Sequence, residues 1–256
     1  MKSLQSILLS LLAANSAAAA PAPAADEAAP IELLKHSPEF LQHVHEIISA
    51  TQEENSTEVE RRSTTTLTGS KDGVNTAGFY YSVYNDKKAN VKYTSGDDNG
   101  QWSLTWDAQK EFLAGKGYRS TTPRSLTWSG SFKASGDWTL AAYGWTTNPV
   151  TEWYVVDAHG SGKPGNGKPV GTVTTDGGVY DVYDLYYSNV PKIYGATSFH
   201  QYWSVRRAAR TTGGTINIAK HFSSWKSMGL KPGAPVFQML TLEGFSGSGS
   251  LSFNVA

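Results

Sequence analysis

Thr151-Glu152-Trp153-Tyr154-Val155-Val156-Asp157 reads as a β-strand carrying one misplaced charge. Aromatic and β-branched residues fill it, and such side chains fit a pleated, half-buried surface. Alternation sends Glu152 and Tyr154 to one face and Trp153 and Val155 to the other. A second stretch, Leu240-Thr241-Leu242-Glu243-Gly244-Phe245, repeats the pattern. There Phe237, Met239, Thr241, Glu243 and Phe245 share a face. Downstream of Arg62 the chain holds only three glutamates, the third being Glu111. Burial raises a carboxyl pKa, and a nearby carboxylate raises it further. Two such groups facing each other are the minimal apparatus for cleaving a glycosidic bond. A lone strand glutamate reads more simply as solvent-facing; the pair, among so many aromatics, favours a cleft.

Outward from these two strands the pattern repeats. Residues 78–84, 89–94, 101–106, 125–132, 139–145, 150–156, 179–187, 198–206, 236–245 and 251–255 are short, aromatic or β-branched stretches. Turns rich in Gly, Asp and Asn separate them, among them Asp176-Gly177-Gly178. One segment differs: Phe222, Trp225 and Met228 fall at helical spacing before Gly229, predicting a helix over 219–229 that closes on a glycine. About ten strands and one helix predict an all-β protein. Its expected form is a jelly-roll sandwich of two antiparallel sheets with a deep cleft. Phe199, Gln201 and Trp203 share a strand face. Aromatic faces, amides and phenols on a concave sheet suit a sugar chain, which stacks its C–H faces and shares its hydroxyls. His200 and His221 read as surface or core-edge histidines, and no His/Asp cluster has metal spacing.

The first 62 residues have another character. All 25 glycines lie at or after Gly69, and all 8 tryptophans and 13 tyrosines lie after Arg62. The first 62 residues carry nine acidic and four basic groups, the remainder thirteen and eighteen. The body's modest positive charge is too small to argue for nucleic acid. Lys2, the apolar run Ile7–Ala14 and the small residues at 16–20 read as a signal peptide over 1–20, too short to span a membrane. Pro21–Pro30 reads as linker. Ser37 and Pro38 mark a helix start, with Phe40, Leu41, Val44, Ile47 and Ile48 on one face. Such a helix is placed to cover a cleft or to assist folding. The Asn55-Ser56-Thr57 sequon lies in this region. Arg61-Arg62 stands at the composition boundary, so residues 21–62 read as a propeptide and 63–256 as the catalytic domain. With no cysteine the domain must rest on its hydrophobic core.

Several segments together resemble glycoside hydrolase family 11, the endo-β-1,4-xylanases with a fold like a partly closed right hand. In order they are 78–82, 115–118, 143–157, 176–183, 201–206 and 242–245. The resemblance spans about residues 75–256. It implies a secreted endo-β-1,4-xylanase that retains configuration, with Glu152 as nucleophile and Glu243 as acid/base. Tyr143 and Tyr154 match tyrosines that hold the reacting sugar, Gln201 matches a cleft glutamine, and Pro191 falls in the thumb loop 189–195; Trp203, on the same strand face as Gln201, is a further expected substrate position. The chain departs from the usual pattern at four positions. Tyr84 stands for a Trp, Tyr187 for an Arg, Phe237 for a Tyr, and Glu111 for the Asn or Asp beside the acid/base. These remain expected substrate or site positions, with Glu111 favouring an acidic optimum. The implied partner is xylan or a xylo-oligosaccharide, with no cofactor, metal, nucleic acid or membrane, and the protein a monomer. A second class stays open: a plant-facing elicitor or xylan binder with weak or lost turnover.

Overall fold

The computed structural model describes residues 36–52, 65–85, 89–96, 98–165 and 167–256. The signal peptide, the linker, the Asn55 sequon and Arg61-Arg62 lie outside them. After helix α1 (Pro38–Gln52) come strands β1 (Thr65–Leu67), β2 (Lys71–Val74), β3 (Tyr80–Asn85), β4 (Asn90–Ser95), β5 (Gln101–Ala108) and β6 (Phe112–Arg119). Strands β7 (Ser125–Ala134), β8 (Trp138–Thr147), β9 (Thr151–His159), β10 (Gly171–Thr175), β11 (Gly178–Ile193), β12 (Ala196–Arg206) and β13 (Gly213–Asn217) follow. Helix α2 (Ile218–Ser227), β14 (Ala234–Gly244) and β15 (Gly247–Val255) complete the chain.

The strands form two sheets. A six-stranded sheet has the order β1-β4-β5-β15-β7-β13, and a nine-stranded sheet the order β10-β11-β12-β9-β8-β14-β6-β3-β2. The expected sandwich is present, with one correction: the β12–β9 pair is parallel, whereas the other pairs are antiparallel. The helix start expected at Ser37-Pro38 opens α1, beside the expected α2.

Period-two alternation divides the large sheet into two apolar faces. One face packs on the small sheet: Val83, Phe112, Leu140, Trp153 and Leu242 join Trp102, Leu104, Trp128 and Phe253 in one buried cluster. Phe222 and Trp225 of α2 extend it, Phe222 meeting Trp153 edge-on at 5.3 Å. The Asn217 side chain caps α2 by accepting from Lys220 N at 3.0 Å, and Gly229 follows the helix at φ +90°. The opposite face carries Tyr80, Tyr84, Tyr143, Trp145, Tyr154, Trp203 and Phe237. A cleft face should be wet. Here Phe40, Leu41, Val44, Ile47 and Ile48 of α1 belong to the same buried cluster.

Turn chemistry fixes the hairpin behind the cleft. Asp176 and Gly177 connect β10 to β11 with φ of 55° and 67°, the two positive values that a tight twisted hairpin requires. At the end of β9 the Asp157 side chain is wholly buried. It takes two donors from Arg210 (Nη2 at 2.7 Å, Nε at 3.0 Å), one from Tyr180 at 3.1 Å and one from Trp128 at 3.2 Å. Burial pushes its pKa up, and Arg210 opposes that shift. Removing one partner of a buried pair strands the other charge. Arg210→Ala is therefore expected to cost about 3–5 kcal/mol in denaturant unfolding. An unchanged midpoint and slope would show that this carboxylate does not staple β7, β9 and β11.

Candidate active site

Neighbouring strands bring the glutamates together. β9, β8 and β14 lie side by side, with Glu152 opposite Trp145 and Tyr154 opposite Tyr143. Glu243 sits on β14 between Thr139 of β8 and Leu113 of β6. Glu111 immediately precedes β6, on the same side as Leu113 by alternation. β12 lies on the other flank of β9, setting Gln201 opposite Glu152 and Trp203 opposite Tyr154.

Glu152 has no exposed surface, and its carboxylate is surrounded by donors. Tyr143 and Tyr154 hydroxyls donate to Oε1 at 2.9 and 3.0 Å, and Gln201 Nε2 donates to Oε2 at 2.5 Å. The donors are themselves held. Trp145 Nε1 donates to the Tyr143 hydroxyl, and Trp203 Nε1 to Gln201 Oε1 at 3.2 Å. Tyr154 stacks on Trp203 at 3.7 Å and 1°. Burial first, then the charges of Glu152 and Glu243, push both tyrosine pKa values well above the usual phenol range, so both stay donors. Glu243 differs: it is equally buried, yet neither oxygen accepts a well-aligned hydrogen bond. Burial pushes its pKa well above the ordinary carboxyl value; His36 pulls it down, while Glu111 and Glu152 push it further up. One carboxyl is thus solvated by fixed donors and the other is deprived of them, which divides a base or nucleophile from an acid.

A third group stands between them. His36 places Nδ1 2.7 Å from Glu111 and 3.8 Å from Glu243, and Nε2 3.0 Å from Glu152. A neutral imidazole has one N–H; hydrogen bonds to carboxylates from both nitrogens require the imidazolium. Burial alone would lower the His36 pKa, but Glu152 and Glu111 outweigh it and hold it well above the usual value. His36, Glu111 and Glu243 offer donor atoms within 4.8 Å of one another, a spacing that would admit a metal ion. In the protonated form that its contacts with Glu111 and Glu152 favour, His36 has no lone pair to give one.

The remaining expected residues divide. Tyr84 shares a 2.8 Å hydrogen bond with Ser37 Oγ and meets Phe40 edge-on at 5.0 Å. Phe237 is buried beside Tyr80 and Tyr143, at 5.6 and 5.9 Å. Tyr187 is half-buried and stacks on Phe199 at 5.4 Å. Pro191 is exposed at the tip of the β11–β12 hairpin, where it borders a pocket with Gln42 and His45 of α1; Ile193, two residues on, is buried. Glu111 faces inward, its side chain 13% exposed, with His36 between it and Glu243. His200 is at the surface, paired with Asp184. His221 is fully buried on α2 against Ser204 and Asp176, deeper than a core-edge position. Trp145 and His36 were not singled out from the sequence. The signal for His36 was its place immediately before a helix N-cap.

The sequence has known relatives. The family model for glycosyl hydrolases family 11 matches residues 76–254. The "Ethylene-inducing xylanase" of Penicillium digitatum is 40% identical over 200 residues, 78% of this chain and 90% of that one. The "Endo-1,4-beta-xylanase 2" of Rhizopus oryzae is 39% identical over the same shares. The "Ethylene-inducing xylanase 1" of Verticillium dahliae is 41% identical over 181 residues, 70% of this chain and 80% of that one.

The like charge of Glu111 helps hold the Glu243 proton, so its removal has a defined sign. In a carboxyl-¹³C NMR titration, Glu243 is expected to titrate above the ordinary value of 4.5, and Glu111→Asn to move that titration to lower pH. An unshifted Glu243 curve in the variant would show that the two carboxyls do not interact.

Proposed function

Because the chain belongs to glycosyl hydrolases family 11 and is a xylanase by that membership, we propose that it is a secreted endo-β-1,4-xylanase that retains configuration. The observation carrying this reading is the convergence of Glu152 and Glu243 on one small ring from β9 and β14, the two strands that flank β8. A retaining mechanism asks for carboxyls about 5–5.5 Å apart across the reacting sugar. In the first step Glu152 attacks the anomeric carbon, and the bond to the leaving oxygen breaks as that oxygen takes the Glu243 proton. In the second, the Glu243 carboxylate removes a proton from water, whose oxygen displaces Glu152 from the anomeric carbon. Tyr143, Tyr154 and Gln201 keep Glu152 aimed. The raised pKa of Glu243 keeps its proton available for the first step.

The names of two relatives favour a second reading, in which the protein is read by plants as an elicitor. The readings part on whether Glu152→Gln protein, inactive on xylan, still provokes ethylene release from plant tissue.

Two outcomes are expected. In the processed protein, Glu152→Gln abolishes turnover of xylan and of activated aryl xylosides alike, because no covalent intermediate forms. Glu243→Gln spares good leaving groups relative to xylan, because a good leaving group needs little protonation. Equal losses on both substrates for Glu243→Gln would contradict the assigned roles. We further propose cleavage after Arg62, so that intact-mass analysis of secreted protein should find a chain beginning at Ser63. Persistence of residues 21–62 would refute it.

A further inference from the structure

We infer that the cleft is also a peptide-binding site whose ligand is the chain's own residues 36–52, held there in competition with xylan. The inference rests on the reading of this cleft as the xylan site. Three independent contacts support it.

The first is at the reacting centre. His36 lies between Glu111, Glu152 and Glu243 with its side chain only 2% exposed. A planar cation between two carboxyl groups reproduces the charge pattern of the oxocarbenium-like transition state of glycoside hydrolysis. A xylose ring and this imidazolium cannot share the space. The second contact is the helix start. Ser37 Oγ accepts from Phe40 N at 3.1 Å as N-cap, and Ser37 N donates to Glu111 at 3.2 Å. The positive end of α1 thereby points at the carboxyl cluster. The Phe40 ring stacks under His36 at 4.2 Å and fixes its plane. The third contact is along the groove. Phe40, Leu41, Val44, Ile47 and Ile48 are each at most 4% exposed. The hairpin tip closes from above, where Tyr194 N donates to His45 Nδ1 at 3.1 Å and Ile193 is buried. These are the anchors of an amphipathic helix laid in an apolar groove.

Tethering makes the ligand effective. Residues 53–64 tether it to β1, and a short tether gives an effective concentration on the order of mM; cutting the chain between α1 and β1 turns it into a peptide that dilution removes. Protonation makes it conditional. His36 faces Glu111, Glu152 and Glu243, with the neutral Tyr84, Tyr143, Tyr154 and Gln201 on the surrounding strands. Its docked pKa is raised above the free value of 6.5, so its contribution to docking is complete below 6.5 and is lost as pH rises through the docked pKa.

The test uses the chain from residue 21 onward with a site-specific protease sequence placed within 53–64. Xylohexaose binding is followed by tryptophan fluorescence and xylan turnover by reducing sugar. The intact chain is compared with the cut chain after gel filtration at alkaline pH, and with intact His36→Ala and Val44→Asp. If α1 occupies the cleft in more than nine molecules in ten, the intact chain binds xylohexaose about tenfold or more weakly than the cut one. Its KM is raised by the same factor, with kcat unchanged. Both variants recover binding without being cut, and the intact-to-cut ratio falls with rising pH in the parent but not in His36→Ala. Equal xylohexaose affinity in intact and cut parent overturns the inference, with no substitution to disturb folding. A cut chain that regains binding yet hydrolyses nothing leaves the inference standing and defeats the xylanase reading instead.

Discussion

A carboxylate with no exposed surface must be given donors, and most of the cleft is arranged to supply them to Glu152. Two phenols, one amide and one imidazole converge on its oxygens, from β8, β9, β12 and the residue before α1's N-cap. Each donor needs its own support, which is why Trp145 and Trp203 are buried with their indole nitrogens directed at Tyr143 and Gln201. An unpaired charge at this depth would cost several kcal/mol, so the network is as much a condition of folding as of chemistry. Glu243, a strand away, shows the reverse arrangement. Neither of its oxygens accepts a well-aligned hydrogen bond, and burial, with the charges of Glu111 and Glu152, pushes its pKa well above the ordinary carboxyl value.

The same sheet serves two interiors. Alternation sends Trp153, Leu140 and Leu242 into the layer between the sheets, and Tyr154, Tyr143 and Glu243 into the cleft. An apolar cleft face left to water is costly to fold and prone to association. With α1 in place that face becomes a second core. The contact that makes α1 a ligand of the cleft is thus also the one that keeps this apolar face from water.

The fold was legible where side chains alternate strongly. All ten strands read from the sequence have counterparts, and α2 falls at Ile218–Ser227 within a residue or two of the expected 219–229. Five strands were missed for two reasons. β1, β2, β10 and β13 are the four sheet edges, short and rich in Thr, Gly or charge, where half the pairing and one neighbour are lacking. β6 runs Leu113-Ala114-Gly115-Lys116-Gly117, a poor strand by propensity, yet it sits between β14 and β3. Its glycines are a packing requirement: a Cβ on Gly117 would lie 2.1 Å from the Gln238 carbonyl oxygen. The glutamate pair, Tyr154, Gln201 and Trp203 were legible from strand parity, and Tyr143 from the family resemblance. His36 was not, because its role depends on docking between distant segments, which no local period encodes.

The β11–β12 hairpin carries both the tip that closes on α1 and the amide that steadies Glu152. From Tyr180–Ser188 against Ser198–Arg206 its pairing is unbroken, and Gln201 lies inside that stretch. Beyond Ser188 the register slips, and Asn189 and Tyr194 take positive φ values of 57° and 44°. The hairpin is thus regular where it borders Glu152 and irregular where it borders whatever lies in the groove. Because the irregularity begins only beyond residue 188, a change at the tip need not pass along the ladder to the Gln201 amide, so what enters from above need not disturb the aim of the carboxylate below.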